Sequence, residues 1–204
     1  MSSADPSATH DVLAIVGRLG DLGSGATEAE VHCFAYLACA AWVGDGHPAE
    51  EWGYTFTALH SARPFSTVID ASIRACRQGG HLERSEEVVR LTASGIAVGQ
   101  ALAGSVADGG RRRYVLGACD VSTAISIPTA LAALAMEPQL LRSAELDSER
   151  SLFDTLGRDL MSAELRALDA NLPSDSGLFA RMTMWVAYWG ALSDRADRDF
   201  VLDD

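Results

Sequence analysis

The chain contains no lysine: its 16 basic residues are all arginine, set against 28 acidic ones for a formal net charge of −12 over 204 residues. That absence removes Schiff-base chemistry, a lysine general base and the phosphate-binding lysine of a Walker loop. An acidic surplus of this size also opposes bulk affinity for nucleic acid or an anionic membrane, since both are bound by neutralising phosphate. Long apolar runs are lacking as well. The most hydrophobic stretch, Leu178 to Leu192, carries Arg181 and has the length of a core helix rather than the roughly 20 apolar residues of a membrane span. Met1 to His10 has neither a basic n-region nor an apolar h-region, so the expectation is a chain without a targeting segment, resident in the cytoplasm.

Clustered metal ligands are missing too. Cys33, Cys39, Cys76 and Cys119 form no CxxC pair and lie in apolar surroundings, which predicts buried, reduced thiols and no metal site. No nucleophile elbow, HExxH, P-loop or paired carboxylates beside a histidine occur, and His10, His32, His47, His60 and His81 are scattered. No cofactor is expected. An enzyme ranks as the third functional reading, with His60 near Arg63, or Asp120 near Cys119, as its candidates.

What is present is ample apolar content, 48%, enough for a continuous core. Val12, Leu13, Val16 and Leu19 recur on one face and predict a first helix over Asp11 to Leu19, which Gly17, Gly20, Gly23 and Gly25 then end as a flexible turn. Thr27 with Glu30 three residues on is a capping box for an amphipathic helix to about Val43. Gly44 to Pro48 reads as a turn. Ser66 is placed to cap a helix carrying Ile69, Ile73 and Cys76, closed by Gly79 and Gly80. A hairpin follows: His81 to Arg84, a polar tip at Ser85 to Glu87, and the β-branched return Val88 to Leu91. Thr92 then caps a helix over Ala93 to Val106.

The run Tyr54, Phe56, Pro64, Phe65, Ser66, Ile69, Ile73, Gly80, Leu82, Arg84, Leu91, Thr92 and Gly95 resembles a winged helix: third helix, wing, and an L-T-x-x-G step into the next helix. It is similar in particular to the YwgA-type and SocA-antitoxin-like group, in which an aromatic segment precedes a P-[YF]-S helix start. The resemblance covers about residues 53–100. It implies a mainly α chain with a winged helix-turn-helix segment and a two-stranded hairpin, so that 1–108 is a winged-helix domain. Residues 109–204 then form an all-helical C-terminal extension packed on it. Within that extension Arg111, Arg112 and Arg113 open a helix, read as a solvated start rather than a phosphate grip. Val121 to Met136 reads as one apolar helix kinked at Pro128, and Leu152, Leu156, Leu160, Met161, Leu165 and Leu168 trace another. Leu178, Met182, Trp185, Trp189 and Leu192 form a heptad-like stripe.

Winged helices serve regulators and partner-binding subunits alike. DNA binding would use the outer face of the third helix and the wing: Arg63, Thr67, Arg74, Arg77, Arg84 and Arg90. Over Gly53 to Thr92, however, five arginines meet Asp70, Glu83, Glu86 and Glu87, a surplus of one charge where a DNA reader carries several. The first reading is therefore a non-enzymatic accessory or adaptor subunit that binds a protein partner or itself, and a DNA-binding regulator is the runner-up. Met182, Trp185 and Trp189 are the candidate partner-binding residues, since Met adapts and Trp anchors; core packing is the competing account of that stripe.

Overall fold

The computed structural model describes residues 5–23, 25–59, 62–105, 109–145, 150–173 and 176–201, and the fold is mainly α. Helix α1, Pro6–Leu22, starts where the Asp5 carboxylate accepts from the Ala8 N–H at 2.9 Å, with Pro6 in the first turn. It outruns the predicted helix at both ends, and Gly17 and Gly20 lie inside it rather than ending it. Gly17 has a packing reason: a Cβ there would come within 2.9 Å of Leu91 Cδ1. Burial of Val12, Ile15, Val16 and Leu19 outweighs the roughly 1 kcal/mol that a helical glycine costs.

After the short strand β1, Ala26–Thr27, helix α2 spans Glu28–Gly44. Its capping box is reciprocal: Glu30 N–H donates to Thr27 Oγ1 at 3.2 Å, and Thr27 N–H donates to the Glu30 carboxylate at 2.7 Å. The expected amphipathic character is absent, because α2 is buried nearly all round from Val31 to Ala41. It is the central helix of the molecule.

A 3-10 turn at Ala49–Trp52 leads to β2, Thr57–Leu59, and β3, Arg63–Phe65, an antiparallel pair with Thr57 opposite Phe65. Helix α3, Thr67–Gln78, is capped by the Ser66 hydroxyl as the sequence predicts and buries Ile69, Ser72, Ile73 and Cys76. The chain reverses through Gly80, at φ +70°, into β4, Leu82–Ser85, and β5, Val88–Leu91, paired Leu82 to Leu91 and Ser85 to Val88. Strand β1 adds to β5, giving the order β1-β5-β4. Helix α4, Ala93–Ser105, begins at Thr92, whose hydroxyl accepts from the Gly95 N–H at 3.1 Å and donates to the Gly80 carbonyl at 2.7 Å.

Beyond it lie α5, Gly109–Asp120, a 3-10 turn at Val121–Thr123, α6, Ile127–Leu134, α7, Pro138–Glu145, the strand β6, Arg150–Ser151, α8, Thr155–Asp169, and α9, Leu178–Val201. Among the described residues of the C-terminal half the one strand is β6, which pairs with β2 through Thr57 and Ser151. Pro128 does not kink one long helix. It sits in the first turn of α6, capped by Ser126, where its missing N–H has no partner to lose. Pro138 opens α7 in the same way. Buried side chains from both halves, Leu13 and Tyr36 with Tyr114 and Trp189 among them, belong to one hydrophobic cluster.

Two glycines of α4 make a matched test. A Cβ at Gly95 would meet the His81 carbonyl oxygen at 2.1 Å, whereas one at Gly99 would meet Leu13 Cβ at an ordinary 3.6 Å. Gly95→Ala should therefore lose about 2 kcal/mol or more to backbone displacement. Gly99→Ala should be neutral or gain up to about 1 kcal/mol from helix propensity. Urea unfolding midpoints of the two variants check the opposite signs.

Candidate functional site

The most heavily satisfied polar centre is buried between α1 and α5. Helix α1 turns Asp11 inward to complete burial, and α5 places Arg111 opposite it. Arg111 Nε lies 3.1 Å from each Asp11 carboxylate oxygen and Nη2 lies 2.5 Å from Oδ2, while Nη1 donates to the Trp52 carbonyl. The guanidinium stacks 3.8 Å from the Trp52 ring centroid and 5.2 Å from that of Tyr54. The Tyr54 hydroxyl donates to Asp11 Oδ2 at 2.6 Å, and His10 Nδ1 stands 3.1 Å from Oδ1.

Burial works against the charge on Arg111, but its hydrogen bonds and attraction to Asp11 hold its pKa above the ordinary arginine value. Burial and the neighbouring Asp11 likewise raise the Tyr54 phenol well above its usual value. The solvated helix start read for Arg111 is thus overturned: of the triplet, Arg112 and Arg113 are exposed and Arg111 is a core residue. With the Asp11 carboxylate held by Arg111 and Tyr54 and the guanidinium stacked on Trp52, this centre is a clamp and not a reactive site.

A second clamp joins the end of α2 to α9. Arg181 reaches Asp45 with Nη1 at 2.6 Å and Nη2 at 3.0 Å, the Tyr114 hydroxyl donates to Asp45 at 2.5 Å, and Arg113 approaches to 3.9 Å. Burial opposes the ionisation of Asp45, yet Arg181 and Tyr114 prevail and lower its pKa.

Of the six residues that would meet DNA, carboxylates oppose Arg74, Arg77 and Arg84. Arg74 pairs with Asp70 at 2.7 Å one turn back on α3. Arg77 and Arg84 converge on Glu28 in the first turn of α2, at 3.2 Å and 3.8 Å, and Arg84 Nε also donates to the Glu86 carbonyl. Arg63, Thr67 and Arg90 are exposed on β3, α3 and β5. Glu28 escapes a reading of the sequence because it reaches these arginines only through the packing of α2 beside α3 and the hairpin.

The stripe on α9 is core. Met182, Trp185 and Trp189 are 1%, 0% and 0% exposed, so as a surface groove they are excluded in this conformation. Met182 packs against α5 at Gly117, Trp185 Nε1 donates to the Glu164 carboxylate of α8 at 3.0 Å, and the two indole centroids are 4.4 Å apart. Among the described side chains of α9, the large apolar residues that are exposed are instead Phe179, Met184 and Tyr188.

Exposed apolar surface of another kind belongs to α4. Its thirteen residues include no charge, and Ile96, Ala97, Gln100 and Ala101 face outward. Between α4, α1 and α5 runs an open groove of about 530 Å³ whose lining includes Leu13, Ile96, Gly99, Leu116 and Arg112. The Arg18–Asp120 pair, 2.6 Å apart, stands at its edge.

Little of this suits catalysis. His32 accepts from the Ser66 N–H at 3.2 Å and burial lowers its pKa to about 4, which makes it a fixed acceptor. Burial raises all four thiols, Cys33 to about 12 and Cys76 to about 11, so none is poised as a nucleophile. Asp120, the candidate beside Cys119, is engaged by Arg18, and His60 lies outside the described residues. Among the described residues no group of three or more His, Cys, Asp or Glu is placed to hold a metal ion, and no single helix is long and apolar enough to cross a membrane. Compared with family models, with curated proteins and with solved structures, the chain matches none.

Removing one partner of the first clamp strands a buried charge. Asp11→Ala or Arg111→Met should each cost about 3–5 kcal/mol, and the double substitution should cost less than the sum. A double-mutant cycle by urea denaturation measures the difference.

Proposed function

We propose that the chain is a non-enzymatic, cytoplasmic winged-helix accessory subunit that acts by holding a protein partner or a second copy of itself. In support of the winged-helix assignment, the order α1, β1, α2, α3, β4, β5 with a β1-β5-β4 sheet is the order of that motif, the β2–β3 hairpin being an insertion before the third helix. The likeness of residues 53–100 to the YwgA-type and SocA-antitoxin-like group is part of the same proposal.

One observation carries the choice of partner. Asp70 and Glu28 oppose Arg74, Arg77 and Arg84 on the face that a DNA-binding member would present, within a chain of net charge −12. Duplex binding needs several uncompensated cations, each releasing counterions from the phosphate backbone. The uncharged outer face of α4 supplies the contact surface that an adaptor needs, since a partner can cover it without stripping water from a charge.

Affinity capture from the native host tests this, with Ala97→Arg on the exposed face of α4 as the control. Wild-type protein should bring down a partner or emerge as an oligomer by light scattering, and Ala97→Arg should lose the association while keeping its melting temperature. Recovery of a lone monomer would refute the adaptor reading. Tight, salt-sensitive duplex retention in gel-shift measurements, abolished by Arg74→Ala with Arg77→Ala, would replace it with the runner-up, a DNA-binding regulator.

A further inference from the structure

Two side chains that flank the first clamp line the groove between α4, α1 and α5: His10, which precedes Asp11 on α1, and Arg112, which follows Arg111 on α5. The imidazole is 3% exposed, and its Nδ1 stands 3.1 Å from Asp11 Oδ1. Asp11 is the anion of the pair with Arg111 and can only accept, so Nδ1 carries the ring proton and Nε2 keeps a free lone pair. Neither Nε2 nor the Arg112 guanidinium has a partner among the described residues. Arg113, by contrast, turns to Tyr114 and Asp45. A buried imidazole and an exposed guanidinium thus border one groove with hydrogen-bonding capacity unspent.

The groove is polarised along its length. Asp11 meets Arg111 and Arg18 meets Asp120, so α1 and α5 run the same way, while Leu91 beside Gly17 and Gly99 beside Leu13 set α4 in the opposite direction. From His10 to Gly17 the trough is about 10 Å long at the helical rise. Its walls there are apolar: Leu13 and Ala14 from α1, Gly99 and Ala103 from the uncharged α4, and Leu116 from α5. At the far end Arg18 bonds Asp120 at 2.6 Å, and Asp21 lines the same stretch, so one cation faces two carboxylates.

We propose that the His10–Arg112 end of this groove binds the carboxyl group of a small apolar monocarboxylic acid, whose hydrocarbon body lies along Leu13, Gly99 and Leu116. Charge complementarity selects this occupant. One carboxyl oxygen accepts from Arg112 and the other shares a single proton with Nε2, which satisfies both open groups with one planar head. The body covers apolar lining and displaces water from it, and a groove of about 530 Å³ is of the size that holds a small ligand. Asp21 and Asp120 disfavour a second carboxylate at the far end, which fixes the orientation and excludes dicarboxylic acids. The inference goes beyond the adaptor reading and does not rest on it: Ala97, through which the adaptor surface is tested, does not line the groove.

NMR titration of the isotope-labelled whole chain with octanoate, octanol and octylammonium tests the site. Octanoate should bind saturably and shift the amide signals of Leu13, Gly99 and Leu116, and the other two should bind about tenfold more weakly or worse. Arg112→Ala should weaken octanoate binding about tenfold with no change in melting temperature, since the side chain is exposed. His10→Asn, whose amide N–H takes the place of Nδ1 toward Asp11 and leaves nothing at Nε2, should weaken it similarly; Arg112→Ala decides alone if that variant does not fold. Ala97→Arg should leave octanoate affinity unchanged even where it abolishes partner association, so the two readings fail separately. No saturable binding, shifts confined to other elements, octanol or octylammonium bound as tightly as octanoate, or undiminished affinity in Arg112→Ala overturns the proposal.

Discussion

The architecture hangs on a single buried ion pair that joins residues a hundred positions apart. Asp11 and Arg111 are enclosed by Trp52, Tyr54 and His10, so each gives up water and recovers it only through the other and its immediate shell. Such a pair adds little net stability relative to apolar packing, because desolvation cancels most of the attraction. What it adds is registry. The forked guanidinium accepts one orientation of the carboxylate, one carbonyl at Trp52 and one ring face, and these fix the rotation of α5 on α1 more tightly than aliphatic side chains would.

The rest of the molecule inherits that registry. Strand β5 lies on α1 where Gly17 leaves room for Leu91, and α4 follows β5 with Gly95 against the His81 carbonyl. The groove between α4, α1 and α5 is therefore shaped by the same contacts that hold the clamp. On the other side α5 packs on α2, whose end is tied to α9 through Asp45 and Arg181. Both the N-terminal surface proposed for a partner and the placement of α9 depend on α5 sitting in one position.

Elements legible in the sequence are those whose determinants are local. The box of Thr27 and Glu30, the Ser66 cap, Gly79 and Gly80, and the Val88–Leu91 return all act within a few residues, and α2, α3 and the β4–β5 hairpin form as their spacing predicts. Features decided by distant partners were not legible. Arg111 is indistinguishable from Arg112 until α1 supplies Asp11. Glu28 reads as a favourable charge at a helix start until α3 and β4 bring arginines to it. Pro128 reads as a kink because a proline in the sequence does not reveal which helical turn it occupies. The β2–β3 pair is too short to show an alternating pattern and gains its third strand from β6. The stripe on α9 was legible as apolar, but periodicity alone does not say whether a helix turns that face inward or outward.

The shortage of cations explains why two kinds of buried acid coexist in one core. With 28 carboxylates, 16 arginines and no lysine, this chain has only forked guanidinium groups to neutralise interior charge. Buried Asp11 and partly buried Asp45 each engage one through two or more contacts. Near α3 and the hairpin, the single carboxylate of Glu28 draws on both Arg77 and Arg84. Glu137, buried at the start of α7, meets two backbone N–H groups instead. A guanidinium makes an ionised acid a permanent fixture, whereas two peptide N–H groups leave it near the balance between charged and neutral. The arginines therefore determine where the fold is rigid, and Glu137 is held instead by the first turn of its own helix.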